Sequence, residues 1–231
     1  MSNTSRRSFL ALAVATVAGA GLAGCSFLPG SDDNQGAQAS EMTKTLDKSR
    51  VLVAYFSFPE TDDPAGMSED EANSTHIVDG KVYGNTQYVA QLIAERTKAD
   101  LFRIETAEAL PLDHATLTDL ADEQLNTRAR PRLKQTVRNL ADYDTVFIGY
   151  PIWWYDMPMP LYTFLEGHDF KGKNVIPFST HGGSRLASTV DSIVTTLPGA
   201  TVVGDAFTIS RDDMDDATTQ VTEWLAALKR R

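Results

Sequence analysis

An apolar run leads directly into two adjacent tryptophans in residues 145–154, which read TVFIGYPIWW. A second apolar run, at 174–178, leads into the loop STHGGS at 179–184. Apolar runs of this length, separated by a helix-like segment, are typical of buried parallel strands. In an open parallel sheet, ligands bind in the crevice beyond the carboxyl ends of the strands. These two loops are therefore the first candidates for a binding site.

The same alternation of strand and helix patterns extends through the chain from residue 50. Strands are predicted at 50–57, 100–105, 144–149, 174–179 and 200–210. Helical patterns are predicted from residue 84, within 107–140, from 159 to 166, over 184–197, and around the apolar stripe at 221–228. Within 107–140, Leu133, Val137 and Leu140 are expected on one helix face. Five alternations predict an α/β fold with a doubly wound parallel sheet and helices on both faces. Right-handed crossovers favour the strand order 2-1-3-4-5.

Composition and charge exclude several classes of protein. The 231-residue chain has a formal net charge of −10, and −12 without residues 1–24, whose only charges are Arg6 and Arg7. Such an acidic surface disfavours direct binding to nucleic acid or to anionic lipid headgroups. Cys25 is the only cysteine, which excludes intramolecular disulfides, iron–sulfur clusters and cysteine-rich metal sites. We expect no metal site, since the four histidines show no ligand spacing.

The N-terminus carries an export pattern. Residues 5–10, SRRSFL, resemble the twin-arginine export motif, and an apolar stretch leads to LAGC at 22–25, which resembles the lipobox of bacterial lipoproteins. We expect residues 1–24 to be a signal peptide and Cys25 to receive the lipid that attaches the protein to the membrane of the cell envelope. The alternative is a short N-terminal anchor or an uncleaved signal. Residues 25–48 are polar and predict a flexible tether, which leaves 49–231 as the folded domain.

The two loops after the strands have complementary chemistry. Trp153 and Trp154 offer paired indoles, whereas residues 180–184 offer hydroxyls, an imidazole and a flexible Gly-Gly. This combination suits a flat, aromatic ligand with polar edges, such as a flavin. The alternatives are that the indoles are core residues and that Ser184 is only the N-cap of the next helix. His181 is the one histidine expected near the ligand, and His76, His114 and His168 are expected at the surface.

Residues 50–228 resemble the flavodoxins, especially the bacterial group with YPIWW and THGGS signatures. Both signatures occur here in that order, and each follows the expected strand. The resemblance implies the flavodoxin-like fold and non-covalent binding of FMN at the ends of strands one, three and four. It implies that one indole packs on the flavin ring while its neighbour points inward. The implied cofactor-binding residues are Ser57, Gly84, Asn85, Thr86, Pro151, Ile152, Trp153, Trp154, Thr180, His181, Gly182, Gly183 and Ser184.

The expected phosphate site departs from the family pattern. Flavodoxins usually have a compact Ser/Thr-x-Thr-Gly-Asn-Thr loop, whereas here Ser57 is separated from Gly84-Asn85-Thr86 by an insert at 58–83. We expect the insert to loop out so that both parts meet at a helix N-terminus, where N–H groups and the helix dipole favour an anion. The alternative is that Gly84-Asn85-Thr86 is a plain turn and N-cap. The acidic insert is expected to be a surface loop, a lid or a partner-docking surface.

Three functions are compatible with these features. The leading hypothesis is a lipid-anchored FMN protein that transfers electrons between redox partner proteins or small-molecule donors and acceptors, with no catalytic residues of its own. The alternative is an FMN-dependent NAD(P)H:quinone-type reductase. The third is a binding lipoprotein that has the fold but no flavin, which only the split phosphate loop supports.

Overall fold

The computed structural model describes residues 50–228. The predicted signal peptide, the lipidation site Cys25 and the tether at 25–48 lie outside the described residues. Within the described part, no helix is both long and apolar enough to cross a bilayer. The strands are β1 Val51–Phe56, β2 Thr75–Val78, β3 Lys81–Gly84, β4 Asp100–Ile104, β5 Thr145–Pro151, β6 Asn174–His181, β7 Thr201–Val202 and β8 Phe207–Ser210.

Within residues 50–228, six helices accompany these strands. They are α1 Glu69–Asn73, α2 Asn85–Thr97, α3 His114–Thr127, α4 Met159–Glu166, α5 Thr189–Thr196 and α6 Ala217–Leu228. Two 3₁₀ turns lie at Leu140–Asp142 and Arg211–Asp216.

The main sheet is parallel and has the order β4-β1-β5-β6, with β7 and β8 both pairing with β6 at its outer edge. The predicted fifth strand at 200–210 is thus two short strands, interrupted at residues 203–206. Counting these two as one position gives the order 2-1-3-4-5, so the predicted flavodoxin-like fold is confirmed. The hairpin β2-β3 forms a separate two-stranded antiparallel sheet.

Each face of the main sheet is covered by its own apolar core. On one face, alternate residues of β1, such as Val53 and Tyr55, pack with α2 and α6, to which Val221 and Leu225 belong. On the other face, the intervening residues of the same strands pack with α4 and α5. Strands that are buried on both sides explain why the apolar runs of β1, β5 and β6 do not alternate with polar residues.

Two helix predictions are wrong in their limits. The predicted helix over 184–197 begins only at Thr189, after a turn at 185–188, so Ser184 is not its N-cap. In the region 107–140 the helix is confined to His114–Thr127. Leu133 and Val137, expected on a helix face, lie instead in irregular chain, although both pack against the core with Leu140.

The insert at 58–83 is more ordered than the expected surface loop. It contains α1 and the hairpin β2-β3, whose turn at Asp79-Gly80 has positive φ at both residues. Because β3 ends at Gly84, the residue before α2, the hairpin delivers the chain directly to the start of that helix. The insert therefore leaves β1 and returns beside it, as the split phosphate loop requires.

Candidate functional site

The carboxyl ends of β1, β5, β6 and β8 meet at one edge of the main sheet. In the register of the sheet, Pro151 of β5 lies opposite Thr180 of β6, and His181 lies opposite Ser210 of β8. A cleft of about 240 Å³ opens beyond these ends. Its lining comprises Ser57, Phe58, Glu60, Asn73, Ser74, Asn85, Thr86, His114, Leu117, Thr118, Ala121, Pro151, Ile152, Trp153, Trp154, Thr180, His181, Gly182 and Arg211.

Ten of the thirteen predicted cofactor residues line this cleft. The structure brings together residues from four separate segments, namely 57, 85–86, 151–154 and 180–182. Hydrogen bonds connect the last three: the hydroxyls of Thr86 and Thr180 are 2.8 Å apart, and the N–H of Ile152 donates to the Thr180 carbonyl at 2.9 Å. Gly84, Gly183 and Ser184 lie outside the lining.

Gly84 shapes the site although it does not line it. A Cβ on Gly84 would overlap the Ser57 hydroxyl and come within 3.2 Å of Pro59 Cδ. Any larger residue would force the Ser57 side chain and the Pro59 ring to move. Glycine therefore favours the close approach of the two halves of the split loop.

The start of α2 is partly satisfied by the insert itself. The N–H of Asn85 donates to the Ser74 carbonyl at 3.0 Å, and the N–H of Gly84 donates to the side chain of Gln87 at 3.2 Å. The N–H groups of Thr86 and Gln87 belong to the first turn and have no intrahelical partner. These two donors and the positive end of the helix dipole are therefore available to bind an anion.

Asn85 presents an unsatisfied acceptor beside this helix start. Its amide Nδ2 donates to the Asn73 carbonyl at 3.0 Å, which fixes the orientation of the amide because a carbonyl can only accept. The side chain is buried, and its Oδ1 has no hydrogen-bond partner among the described residues. Leaving a buried acceptor unpaired costs about 1–3 kcal/mol. A ligand with a hydroxyl donor at this position would remove that cost.

The two indoles differ in their surroundings. Trp153 is half-buried and packs edge-on against Phe56, with ring centroids 5.4 Å apart and an interplanar angle of 89°. Trp154 is 51% exposed and lines the cleft, and its indole N–H donates to the Thr118 carbonyl of α3 at 3.0 Å. Both rings line the cleft, and Trp154 is the more exposed of the two to a ligand.

Trp154 also lies in a strained turn. Trp153 and Asp156 exchange two backbone hydrogen bonds, of 3.0 and 2.9 Å, around a two-residue turn formed by Trp154 and Tyr155. Both central residues have positive φ, 49° and 61°, as in a type I′ turn. Such turns favour glycine and asparagine, and bulky residues in this conformation cluster at functional sites.

The second loop holds His181 in one protonation state. The N–H of Gly183 donates to Nδ1 of His181 at 2.9 Å, so Nδ1 is an acceptor and the neutral ring carries its proton on Nε2. Burial, assisted by Arg185, lowers the pKa of His181, and Asp213 and Asp212 counteract the shift. The bond from Gly183 and the lowered pKa both favour the neutral ring, which can donate from Nε2 to the polar edge of a ligand.

Sequence reasoning missed three charged or titratable residues of the cleft: Arg211, Glu60 and His114. Arg211 follows β8, and its guanidinium lies against Gly182, where a Cβ would be 3.1 Å from a guanidinium nitrogen. His114 was expected at the surface but lines the cleft and contacts Glu60. Position after a strand was a usable signal for Arg211, whereas no local pattern links Glu60 to His114.

The other two histidines have structural roles. His168 is half-buried; its Nδ1 donates to the Phe164 carbonyl at 2.7 Å and its Nε2 accepts from the N–H of Val137 at 3.2 Å. His76 packs its ring on Tyr88 at a centroid distance of 4.7 Å. Burial lowers the pKa of His76, which Asp215 opposes. Among the described residues, no group of three His, Cys, Asp or Glu side chains is placed to hold a metal ion.

Comparison with known proteins identifies the family. The family model described as flavodoxin matches residues 78–227. The chain belongs to the flavodoxin family. No curated protein matches the chain significantly.

Solved structures of flavoproteins share the fold. A putative flavoprotein from Bacteroides eggerthii is 28% identical, with a TM-score of 0.59, over 78% of this chain and 98% of its own. A putative flavoprotein from Bacteroides uniformis is 26% identical, with a TM-score of 0.54, over 75% of this chain and 97% of its own. A Lactobacillus acidophilus flavoprotein, solved in complex with FMN, is 19% identical, with a TM-score of 0.52, over 77% and 99%. At that identity the last shows the fold alone.

Proposed function

We propose that the protein is an FMN-binding electron carrier of the cell envelope, which takes electrons from one redox partner and passes them to another. The convergence of three distant segments on one cleft, held by the hydrogen bonds of Thr180 to Thr86 and Ile152, carries this proposal. When bound, FMN supplies the redox chemistry, and the protein supplies binding, stacking and electrostatics. Membership of the flavodoxin family and the FMN complex of a protein with the same fold support FMN as the flavin.

The residues of the cleft fit FMN. The N–H groups of Thr86 and Gln87 at the start of α2 would bind the phosphate without a cationic side chain. The unpaired Oδ1 of Asn85 would accept a hydrogen bond from a ribityl hydroxyl. Trp154 would stack on the isoalloxazine, and the loop at 180–182 would bind its polar edge.

Attachment to the membrane is part of the proposal. The twin-arginine and lipobox patterns support export and lipidation at Cys25. In a bacterial host with both pathways, Cys25→Ala should move the protein from the membrane fraction to a soluble one. Mass spectrometry of the wild-type N-terminus should find a lipid-modified cysteine, and an unmodified Cys25 within a full-length chain would contradict this part.

Binding is tested by titrating flavin-free protein with FMN and, in parallel, with riboflavin. We expect FMN to bind more tightly because riboflavin lacks the phosphate. Trp154→Ala should weaken FMN binding by about 2- to 10-fold from lost stacking alone, since offset aromatic pairs contribute about 0.5–1.5 kcal/mol. Trp153→Phe is the matched control and should change affinity little. Equal affinity for the two flavins would contradict the assignment of the phosphate site.

The carrier role is tested by reductive titration of the FMN-loaded protein. Two resolved one-electron steps, without bleaching by NADH or NADPH alone, are the expected result. Rapid bleaching by either nicotinamide would instead favour the FMN-dependent reductase.

A further inference from the structure

The cleft has a wall that the flavin residues do not account for. Along α3, His114, Leu117, Thr118 and Ala121 recur at helical spacing, and all four line the cleft. Phe58 and Glu60 of the insert complete this wall. The wall is apolar apart from one hydroxyl and the pair formed by Glu60 and His114, and it contains no lysine or arginine.

Glu60 is buried in an otherwise exposed acidic segment. Its side chain is 4% exposed, and the Nδ1 of His114 lies 3.1 Å from each carboxylate oxygen. Glu60 is held in place from the insert, since its N–H donates to the hydroxyl of Ser74 at 3.1 Å. A bidentate contact of this kind places the proton on Nδ1 of the imidazole and fixes the ring orientation.

The other ring nitrogen of His114 is available to a ligand. The His114 side chain is 39% exposed, and its Nε2 has no hydrogen-bond partner within residues 50–228. A carboxylate on Nδ1 with a free Nε2 is the arrangement in which an imidazole exchanges protons at Nε2 while the carboxylate stabilises the charged ring. Burial raises the pKa of Glu60, and the contact with His114 opposes that shift.

We propose that this wall binds a quinone-class acceptor and that His114, positioned by Glu60, donates a proton to the carbonyl oxygen of that acceptor. This proposal rests on the proposed FMN site. A planar, uncharged acceptor matches the apolar residues of α3 and the absence of lysine and arginine from this wall, and its carbonyl oxygen is the acceptor that Nε2–H needs. His114 is thus a catalytic residue, and Glu60 is a positioning residue.

The proton and electron balance defines the role of His114. Conversion of a quinone to a hydroquinone needs two electrons and two protons. Reduced FMN, when bound, would supply both electrons and one of the two protons. The imidazolium of His114 transfers the second proton from Nε2 to the quinone oxygen and becomes neutral. Solvent then reprotonates Nε2, since the His114 side chain is partly exposed.

The test compares two oxidants of the same reduced protein. FMN-loaded protein is reduced anaerobically with dithionite and mixed in a stopped-flow instrument with menadione or with ferricyanide, which accepts single electrons without a proton. His114→Gln should slow reoxidation by menadione about 100-fold or more, as removal of a general acid does. Its reoxidation by ferricyanide and its affinity for FMN should stay within about 2-fold of wild type. Equal slowing by both oxidants, no slowing by menadione, or weakened FMN binding would overturn the proposal.

Glu60 is tested by a conservative rescue and by a readout without the cofactor. Glu60→Gln should slow reoxidation by menadione but not by ferricyanide, because the carboxylate that orients the imidazole is gone. Glu60→Asp should restore part of the wild-type menadione rate. In flavin-free protein, ¹⁵N NMR of the His114 ring should show Nδ1 as the protonated nitrogen of the neutral ring. A proton on Nε2, with Glu60 donating to Nδ1, would overturn the assigned roles.

The outcomes separate the two proposals. Protein that stays colourless with excess FMN would refute the proposed function, and with it the acceptor site. Protein that binds FMN but shows the same menadione rate in wild type and His114→Gln would refute only the acceptor site.

Discussion

The turn formed by Trp154 and Tyr155 should store conformational energy that a glycine would release. Tyr155 has a φ of 61° and is 73% exposed, and no hydrogen bond of its side chain is seen in the described structure. A left-handed conformation costs a residue with a Cβ about 1–2 kcal/mol. Glycine avoids that cost, but it lowers the free energy of unfolding by about 0.4–1 kcal/mol because it increases the conformational entropy of the unfolded chain. Tyr155→Gly should therefore be more stable than Tyr155→Ala by about 1 kcal/mol.

Tyr155→Ala is the matched control because it removes the same ring and keeps the left-handed conformation. For a domain of this size, 1 kcal/mol corresponds to about 2–4 °C in Tm. Thermal and urea unfolding of the flavin-free variants should give the glycine variant the higher Tm and urea midpoint, with an unchanged m-value. A glycine variant that is no more stable than the alanine variant would refute the argument that this turn is strained.

Three other predictions follow from single contacts. Gly84→Ala should destabilise the domain by about 1–3 kcal/mol in urea unfolding and weaken FMN binding, because its Cβ overlaps the Ser57 hydroxyl; unchanged affinity would contradict the role of the close approach. NMR titration should give His181 a pKa below 6.5, because burial lowers it and protonation of Nδ1 would break the bond from Gly183; a value above 6.5 would contradict this account. Because burial also lowers the pKa of His76, the unfolded chain binds the proton more readily, and stability should fall as the pH drops from 6.5 through the folded-state pKa. His76→Gln should reduce that fall, and an identical pH dependence in wild type and variant would count against it.

The main sheet was predictable because its signal is local and strong. The apolar runs of β1, β5 and β6 are buried on both faces, so their sequences leave little choice of structure. The start of α2 at Asn85 was also predictable, because Gly84-Asn85-Thr86 directly precedes a helical apolar pattern.

The errors arose where tertiary contacts override local patterns. Leu133 and Val137 have helical spacing but reach the core from irregular chain, and the bridge between Thr106 and Leu133 replaces a helix there. The Asp79-Gly80 turn was a usable hairpin signal, since Asp-Gly between segments of alternating apolar residues is typical of a type I′ hairpin. The insert was therefore more predictable than its acidic composition suggested.

The residues of the candidate site also differ in whether a local signal or a tertiary contact brings them to the cleft. Residues at or just after the carboxyl ends of strands, such as Trp154 and Thr180, could be predicted as site residues because a parallel sheet places all these ends at one edge. Glu60 and His114 lie 54 residues apart and meet only through the folded insert and α3, so no spacing rule connects them.

A crystal structure of the protein with FMN tests the central claim most directly. The account predicts one FMN in the cleft, with its phosphate at the N–H groups of Thr86 and Gln87, its ring against Trp154 and its polar edge at the loop of residues 180–182. FMN bound elsewhere, or a cleft that remains empty in crystals grown with saturating FMN, would contradict it.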